Sequence, residues 1–321
     1  MKLITPVNIP ANKGWIDHRQ SVLLMGSCFA DEIGRKMRDD WFDCVVNPFG
    51  VLYNPKSIQF SLERMLEGNP FHRDDLFESQ GLWHSPYHHG SYSHRSCETA
   101  LSQINAHLLR GHDRLNELDL LIITWGTNRC YVYEGKVVGN CHKMPEKNFQ
   151  VEDLKVGKIV DDYSRLLNSL FALRPHLKVI LTVSPIRYVK YGLHESQLSK
   201  AALLMAADEL KKKYPDHVVY FPAYEILMDE LRDYRYYADD LVHPSSLAIQ
   251  YVYERFMDSF MTEEALAVCA ECRKVSRDLQ HRPLHPGSQE QKEFEEKALM
   301  RRQELLNKYP YLTTRDYAIH H

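Results

Sequence analysis

Ser21-Val-Leu-Leu-Met-Gly-Ser-Cys-Phe-Ala-Asp-Glu-Ile-Gly-Arg35 decides how the chain is read. Ser21–Met25 is a run of small and apolar residues that predicts a buried strand. Gly26-Ser-Cys28 makes a turn, and Phe29–Met37 spaces its apolar residues with a helical period. A strand that turns directly into a helix leaves the first helical N–H groups unpaired. It also aims the positive end of the helix dipole at whatever lies over the turn. A nucleophile at Ser27 or Cys28 would meet those N–H groups, which can stabilise a developing oxyanion. The competing reading is a packing corner whose small residues serve only fit.

Outward from this stretch, short apolar runs alternate with amphipathic segments. Strands are expected at Val45–Val46, Asp119–Thr124, Lys178–Ser184 and Val218–Phe221. Helices are expected at Lys56–Glu67, Glu98–Arg110, Val151–Leu173, Glu195–Tyr214 and Ser246–Met261, with a short one at Tyr224–Arg232. Tyr131–Val138 alternates around Glu-Gly as a hairpin would. This order predicts a mainly parallel five-stranded sheet covered on both faces, a three-layer α/β/α sandwich. Ligands of such sheets bind at the carboxyl ends of the strands. Four short motifs fall there: Gly26-Ser-Cys28, Asn47-Pro-Phe-Gly50, Gly126-Thr-Asn128 and Ser184-Pro-Ile-Arg187. Residues 1–262 are expected to form this domain, with an irregular insert at about 68–96, and 263–321 a helical C-terminal extension. Packing back on the domain and self-association are both open to that extension.

Composition narrows the classes. The 321 residues carry 40 Lys and Arg against 43 Asp and Glu, so the charge gives no case for nucleic acid or an anionic membrane. No apolar run is long enough to span a bilayer. Seven cysteines without a disulfide framework, and an amino-terminal stretch lacking the apolar core of a secretory signal, lead to an expectation of reduced thiols and a cytoplasmic location. No Gly-x-Gly-x-x-Gly or Gly-x-x-x-x-Gly-Lys follows the first strand, which weighs against a nucleotide-binding domain. The four histidines of Trp83–Arg95 in the insert, His84, His88, His89 and His94, match no metal-ligand spacing and read as cleft polarity. Cys269 and Cys272 with His281 and His285 resemble a zinc pattern only loosely. No metal or cofactor is expected.

Asp240-Leu-Val-His243, ahead of a Pro-Ser pair and a helix, supplies the second half of a reactive constellation. A carboxylate three residues before an imidazole can fix its tautomer and stabilise its cation, leaving the other ring nitrogen for a nucleophile. With Gly26-Ser-Cys-Phe-Ala30 after the first strand and Asp240/His243 after the last, residues 18–260 resemble the GSCFA family, within or beside the SGNH hydrolase superfamily.

That resemblance implies an ester hydrolase with a Ser27 or Cys28 nucleophile, Asp240 and His243 as the base, and Gly50 and Asn128 at the oxyanion. Gly126, Trp125, Arg187 and His84 are the expected substrate contacts. Aligning without a gap on Gly26 places Cys28 over the superfamily's serine; aligning on serine selects Ser27. Both stay open here. A thiol at a helix N-terminus beside a histidine is expected to ionise easily. The implied substrates are acyl esters, first O-acetyl groups on a carbohydrate. The alternatives are an acyltransferase at the same site and a non-catalytic binder of acylated glycans. An oligomer built through the C-terminal helices is also open.

Overall fold

The computed structural model describes residues 4–281 and 288–312. In chain order the elements are β1 (Ser21–Gly26), α1 (Cys28–Asp39), β2 (Asp43–Val46), α2 (Pro55–Glu67), β3 (Phe77–Ser79), β4 (Leu82–His84) and α3 (Cys97–Glu117). There follow β5 (Leu120–Trp125), β6 (Arg129–Tyr133), β7 (Lys136–Val138), β8 (Gln150–Asp153), α4 (Val156–Leu173), β9 (Lys178–Val183) and α5 (Leu193–Lys213). The chain ends with β10 (Val218–Phe221), α6 (Ala223–Glu225) with a π-helical turn at Ile226–Leu231, α7 (Ser246–Phe260), α8 (Glu263–Leu279) and α9 (Gln289–Lys308).

The main sheet runs β2-β1-β5-β9-β10 with every pairing parallel. Side chains alternate between its faces. Leu23, Met25, Leu121, Ile123, Val179 and Leu181 enter a core shared with α2, α3, α4 and α5. Val22, Leu24, Leu120, Ile122 and Ile180 enter the opposite core with α1, α7 and the start of α8. This is the three-layer α/β/α sandwich, and continuous apolar strands are what a sheet covered on both faces requires. Local chemistry sets the helix starts. Asn54 accepts the Ser57 N–H ahead of Pro55, and Ser245 caps α7. Gly68, in the left-handed conformation, ends α2.

Three expectations change. Residues 150–153 form a strand, not the first turn of a helix; β8 pairs with β6, which also takes β7. α3 runs on to Glu117. The insert is ordered by the β3–β4 hairpin and two single-turn helices.

The C-terminal helices pack back onto the domain. Trp41 Nε1 donates to Ser276 Oγ, which donates to the Asp39 carbonyl. Arg273 forms a two-pronged ion pair with buried Asp40. Cys269 and Cys272 are fully buried in this seam. No group of three or more metal-ligating side chains comes together among the described residues; His285 of the loose zinc pattern lies outside them. All seven cysteines are free thiols. Among the described residues no helix is long and apolar enough to cross a membrane.

Candidate active site

The Gly26-Ser-Cys28 turn is held from three sides. Gly26 has φ +140°, and a Cβ there would lie 2.1 Å from the Thr124 carbonyl of β5, so only glycine fits. Its N–H donates to Asn47 Oδ1 at 2.7 Å, and Asn47 Nδ2 donates to Asp31 Oδ1 at 2.5 Å. One asparagine side chain, on a residue itself at φ +44°, thus ties the strand end to the first turn of α1. Ser27 N–H donates to the Thr124 carbonyl.

The two candidate nucleophiles differ sharply in surroundings. Ser27 is fully enclosed, and its hydroxyl has no hydrogen-bond partner. Cys28, the first helical residue, is partly exposed. The N–H groups of Cys28 and Phe29 point at the Cys28 sulfur and draw its pKa down. Burial, with the Asp31 charge behind it, outweighs them and pushes the thiol up to about 11. The expectation of an easily ionised thiol is therefore corrected: resting Cys28 is protonated, and attack requires a base.

Asp240 and His243 meet as the spacing predicted. Asp240 Oδ2 lies 2.6 Å from His243 Nδ1, while Oδ1 accepts the Val242 and His243 N–H groups. These bonds, the His243 N–H foremost, hold the carboxyl down at about 2. Both side chains are about half exposed, and His243 Nε2 has no hydrogen bond to a described residue. Leu241, between them, takes φ +56°, a conformation unfavourable for leucine that brings the two side chains to one side. The Arg187 N–H donates to the Val242 carbonyl, fixing this loop to the segment after β9.

Helix register relates the two halves. Lys36 of α1 bonds Gln250 of α7, and Asp40 bonds Tyr253, so the helices run parallel with matched levels. Cys28 opens α1 and the Asp240–His243 loop precedes α7, so the two lie at the amino-terminal ends of these parallel helices. Among the described residues no hydrogen bond joins His243 to Ser27 or Cys28.

Other expected contacts are reassigned. The Gly50 N–H donates to the Asn47 carbonyl at 2.7 Å, closing a turn, and so is already engaged. Asn128 Nδ2 donates to the Leu154 carbonyl, which turns that amide toward the β8–α4 connection. Trp125 is completely buried and donates to Tyr163. It continues the Leu121–Ile123 face of β5 into the core, which excludes it from a cleft. His84 is buried with both ring nitrogens engaged, by Ser93 Oγ and the Ser79 carbonyl, and so braces the insert. Gly126 N–H donates to the Tyr53 carbonyl, and a Cβ would lie 2.3 Å from the Tyr188 hydroxyl. Arg187 does line a cleft, of about 290 Å³, with Tyr224, Tyr234, Tyr237, Leu193 and Gln197.

His88 of the insert and His142 are buried, and this has a pH consequence. His88 is fully buried, stacked 4.3 Å from Phe49, and burial holds its pKa down at about 3. Burial likewise holds His142 at about 4, although its Nε2 bonds the Ser85 carbonyl. Below the unfolded value of about 6.5 the unfolded chain binds protons that the folded chain refuses. Stability is therefore full above that value and is lost as pH falls toward 4, by about 1.4 kcal/mol per unit for each histidine. Urea midpoints at pH 7 and pH 5 should differ accordingly, and His88→Gln should flatten the difference. A midpoint that does not move between those pH values contradicts this account.

Lys200, on α5, was not among the expected site residues. It is buried, and its Nζ donates to the carbonyls of Gly126 at 2.6 Å and Ser184 at 2.7 Å. The legible signal was its place on the inward stripe Ser196–Ser199–Leu203–Ala206–Leu210.

No curated protein matches the chain. The crystal structure of a carbohydrate esterase family 3 from Talaromyces cellulolyticus is similar over 45% of this chain, with 14% identity and a TM-score of 0.27. The match spans 60% of that protein's length, and a likeness at this level carries no argument about activity. Residues 272–316 match the model of the GSCFA domain protein, C-terminal domain. Residues 21–256, most of the chain and both halves of the candidate site, match the GSCFA family model, and the chain belongs to the GSCFA family.

Proposed function

We propose that the protein is an ester hydrolase of the SGNH type with Cys28 as its nucleophile. The observation that carries this reading is that Cys28, partly exposed at the start of α1, lies at the same end of two parallel helices as an imidazole oriented by Asp240. His243 Nε2 takes the thiol proton as the sulfur attacks the ester carbonyl carbon. The negative charge moves to the carbonyl oxygen, where the helix N-terminus favours it. Collapse breaks the bond to the alcohol oxygen, which leaves with the proton from His243. Water, deprotonated by the same imidazole, then cleaves the thioester and restores the thiol.

The substrate class is acyl esters, with O-acetyl groups on a carbohydrate as first choice. The tyrosines and Arg187 beside the His243 loop offer aromatic faces and hydrogen-bond donors to a sugar. A thioester intermediate equally serves an acyltransferase, which requires only that an acceptor alcohol displace water.

Release of acetate from p-nitrophenyl acetate and from O-acetylated oligosaccharides tests the reading. His243→Ala is expected to lower kcat/KM by about 10²- to 10⁴-fold. Asp240→Asn should lower kcat on a similar scale with KM little changed, because it loosens the tautomer rather than the binding. A folded wild type that frees neither p-nitrophenol nor the deacetylated sugar, with or without an added acceptor alcohol, overturns it in favour of a non-catalytic binder.

A further inference from the structure

Arg187 leaves most of its hydrogen-bonding capacity unspent. Nη1 donates to the Leu241 carbonyl at 3.2 Å. No other bond of its side chain, and no carboxylate within ion-pair distance, is found among the described residues. A guanidinium holds five N–H donors in a rigid plane. With Nη1 turned to Leu241, the edge formed by Nε and Nη2 remains, two parallel donors that match the two oxygens of a carboxylate. The Tyr237 and Tyr234 rings, 5.4 and 5.9 Å from its Cζ, flank the group at cation–π distance. Leu241 lies between Asp240 and His243, and the Arg187 N–H donates to the Val242 carbonyl. Arg187 is therefore bonded twice to the loop that carries the imidazole.

The cleft that Arg187 lines adjoins the same loop, because Tyr237 on its wall bridges to Pro244 and the Ala238 N–H donates to the His243 carbonyl. Its far wall comes from the π-helical turn at Ile226–Leu231, a distortion frequent at functional sites. The Arg232 N–H closes that turn on the Leu227 carbonyl with φ +45°, and Arg232 joins the lining. No ion pair is found for Arg232 among the described residues. The carboxylates that could oppose an anion here are committed elsewhere. Asp233 accepts the Arg235 N–H on one oxygen and pairs with the Arg235 guanidinium on the other, and Asp240 holds His243. The Tyr224 and Tyr237 hydroxyls are spent on Gln197 and Met228. The unspent charge of the cleft is positive.

We propose that this cleft binds the carboxylate of an acidic sugar, with the free edge of Arg187 as its fork and Arg232 as a second positive charge, and so selects acylated acidic glycans over neutral ones. The tyrosine rings then face the sugar, and a carboxylate is the planar anion that a single two-donor edge matches. The proposal rests on the ester-hydrolase reading for the reaction that follows binding; capture of the carboxylate does not depend on turnover.

The test is isothermal titration calorimetry with trigalacturonate and with the methyl glycoside of N-acetylneuraminate, each against its own carboxamide, which removes the charge and keeps the sugar. The wild type is expected to bind at least one acid about 10- to 100-fold more tightly than its amide, the worth of hydrogen bonds to a charged group. Arg187→Gln should remove most of that ratio. An arginine that only braces the Leu241 carbonyl would shift acid and amide alike and leave the ratio intact. No acid preference with either sugar, from equal affinity or from no binding, overturns the proposal, and so does a ratio that survives in folded Arg187→Gln. If that variant does not fold, Arg232→Gln decides: the ratio should fall about threefold, and an unchanged ratio overturns the proposal. An acid preference with no loss of acetyl from the O-acetylated forms of these sugars or from p-nitrophenyl acetate would reject the hydrolase reading and leave this one standing. Deacetylation without an acid preference would do the reverse.

Discussion

Cys28→Ala is expected to reduce ester hydrolysis by at least 10³-fold, while Ser27→Ala retains most of the activity. The difference follows from where the α1 helix begins. Ser27 is its N-cap residue, yet its side chain makes no capping bond. Its hydroxyl is enclosed without a partner, so no solvent or substrate reaches it. Removing an unsatisfied buried hydroxyl is nearly neutral or stabilising, and Ser27→Ala should show a melting temperature equal to or above the wild type. Cys28, one residue on, is partly exposed and opens the helix. Steady-state rates with both variants, alongside their thermal melts, check the pair. Full activity in Cys28→Ala would return the serine to the nucleophile's place.

Arg273→Ala is expected to destabilise the fold by about 3–5 kcal/mol, the range for removing one partner of a buried ion pair. Asp40, at the end of α1, has a side chain only 2% exposed. It accepts Arg273 Nε and Nη2 at 2.6 Å each, and the Tyr253 hydroxyl at 2.8 Å. Burial already raises its pKa, with Arg273 the main opposing influence. Without the guanidinium, a carboxylate stays in an apolar seam or takes up a proton, and either is unfavourable. The same seam docks α8 on α1 and α7, so the loss should loosen the C-terminal helices as well. Urea unfolding at pH 7 measures it; a change under about 1 kcal/mol would show that the pair does not hold the seam.

The sheet was legible because its central strands β1, β5 and β9 are apolar runs buried on both faces. Where the local pattern misled, tertiary partners decided. Gln150–Asp153 is exposed throughout and resembles a helix start. It is a strand because β6 offers it an edge and Arg129 pairs with Asp153 across the ladder. Trp125 looked like a cleft residue by its place beside Gly126-Thr-Asn128, although the alternation of Leu121 and Ile123 already turned it inward. The Asp240–His243 contact could be read directly, since three residues and one turn suffice to make it. The commitments of the Gly50 N–H and the Asn128 amide could not, because their acceptors are backbone carbonyls that only the folded chain supplies. Lys200 lay in view on a helix stripe, but its meaning depends on two strand ends that come from elsewhere in the chain.

The most direct measurement is intact-protein mass spectrometry after a short pulse of p-nitrophenyl acetate, quenched in acid, on wild type, Ser27→Ala, Cys28→Ala and His243→Ala. The account predicts one acetyl adduct in the wild type and in Ser27→Ala, located on the peptide containing Cys28. It predicts none in Cys28→Ala and a much reduced amount in His243→Ala. An adduct that persists in Cys28→Ala and disappears in Ser27→Ala, or no adduct in a folded wild type, would contradict it.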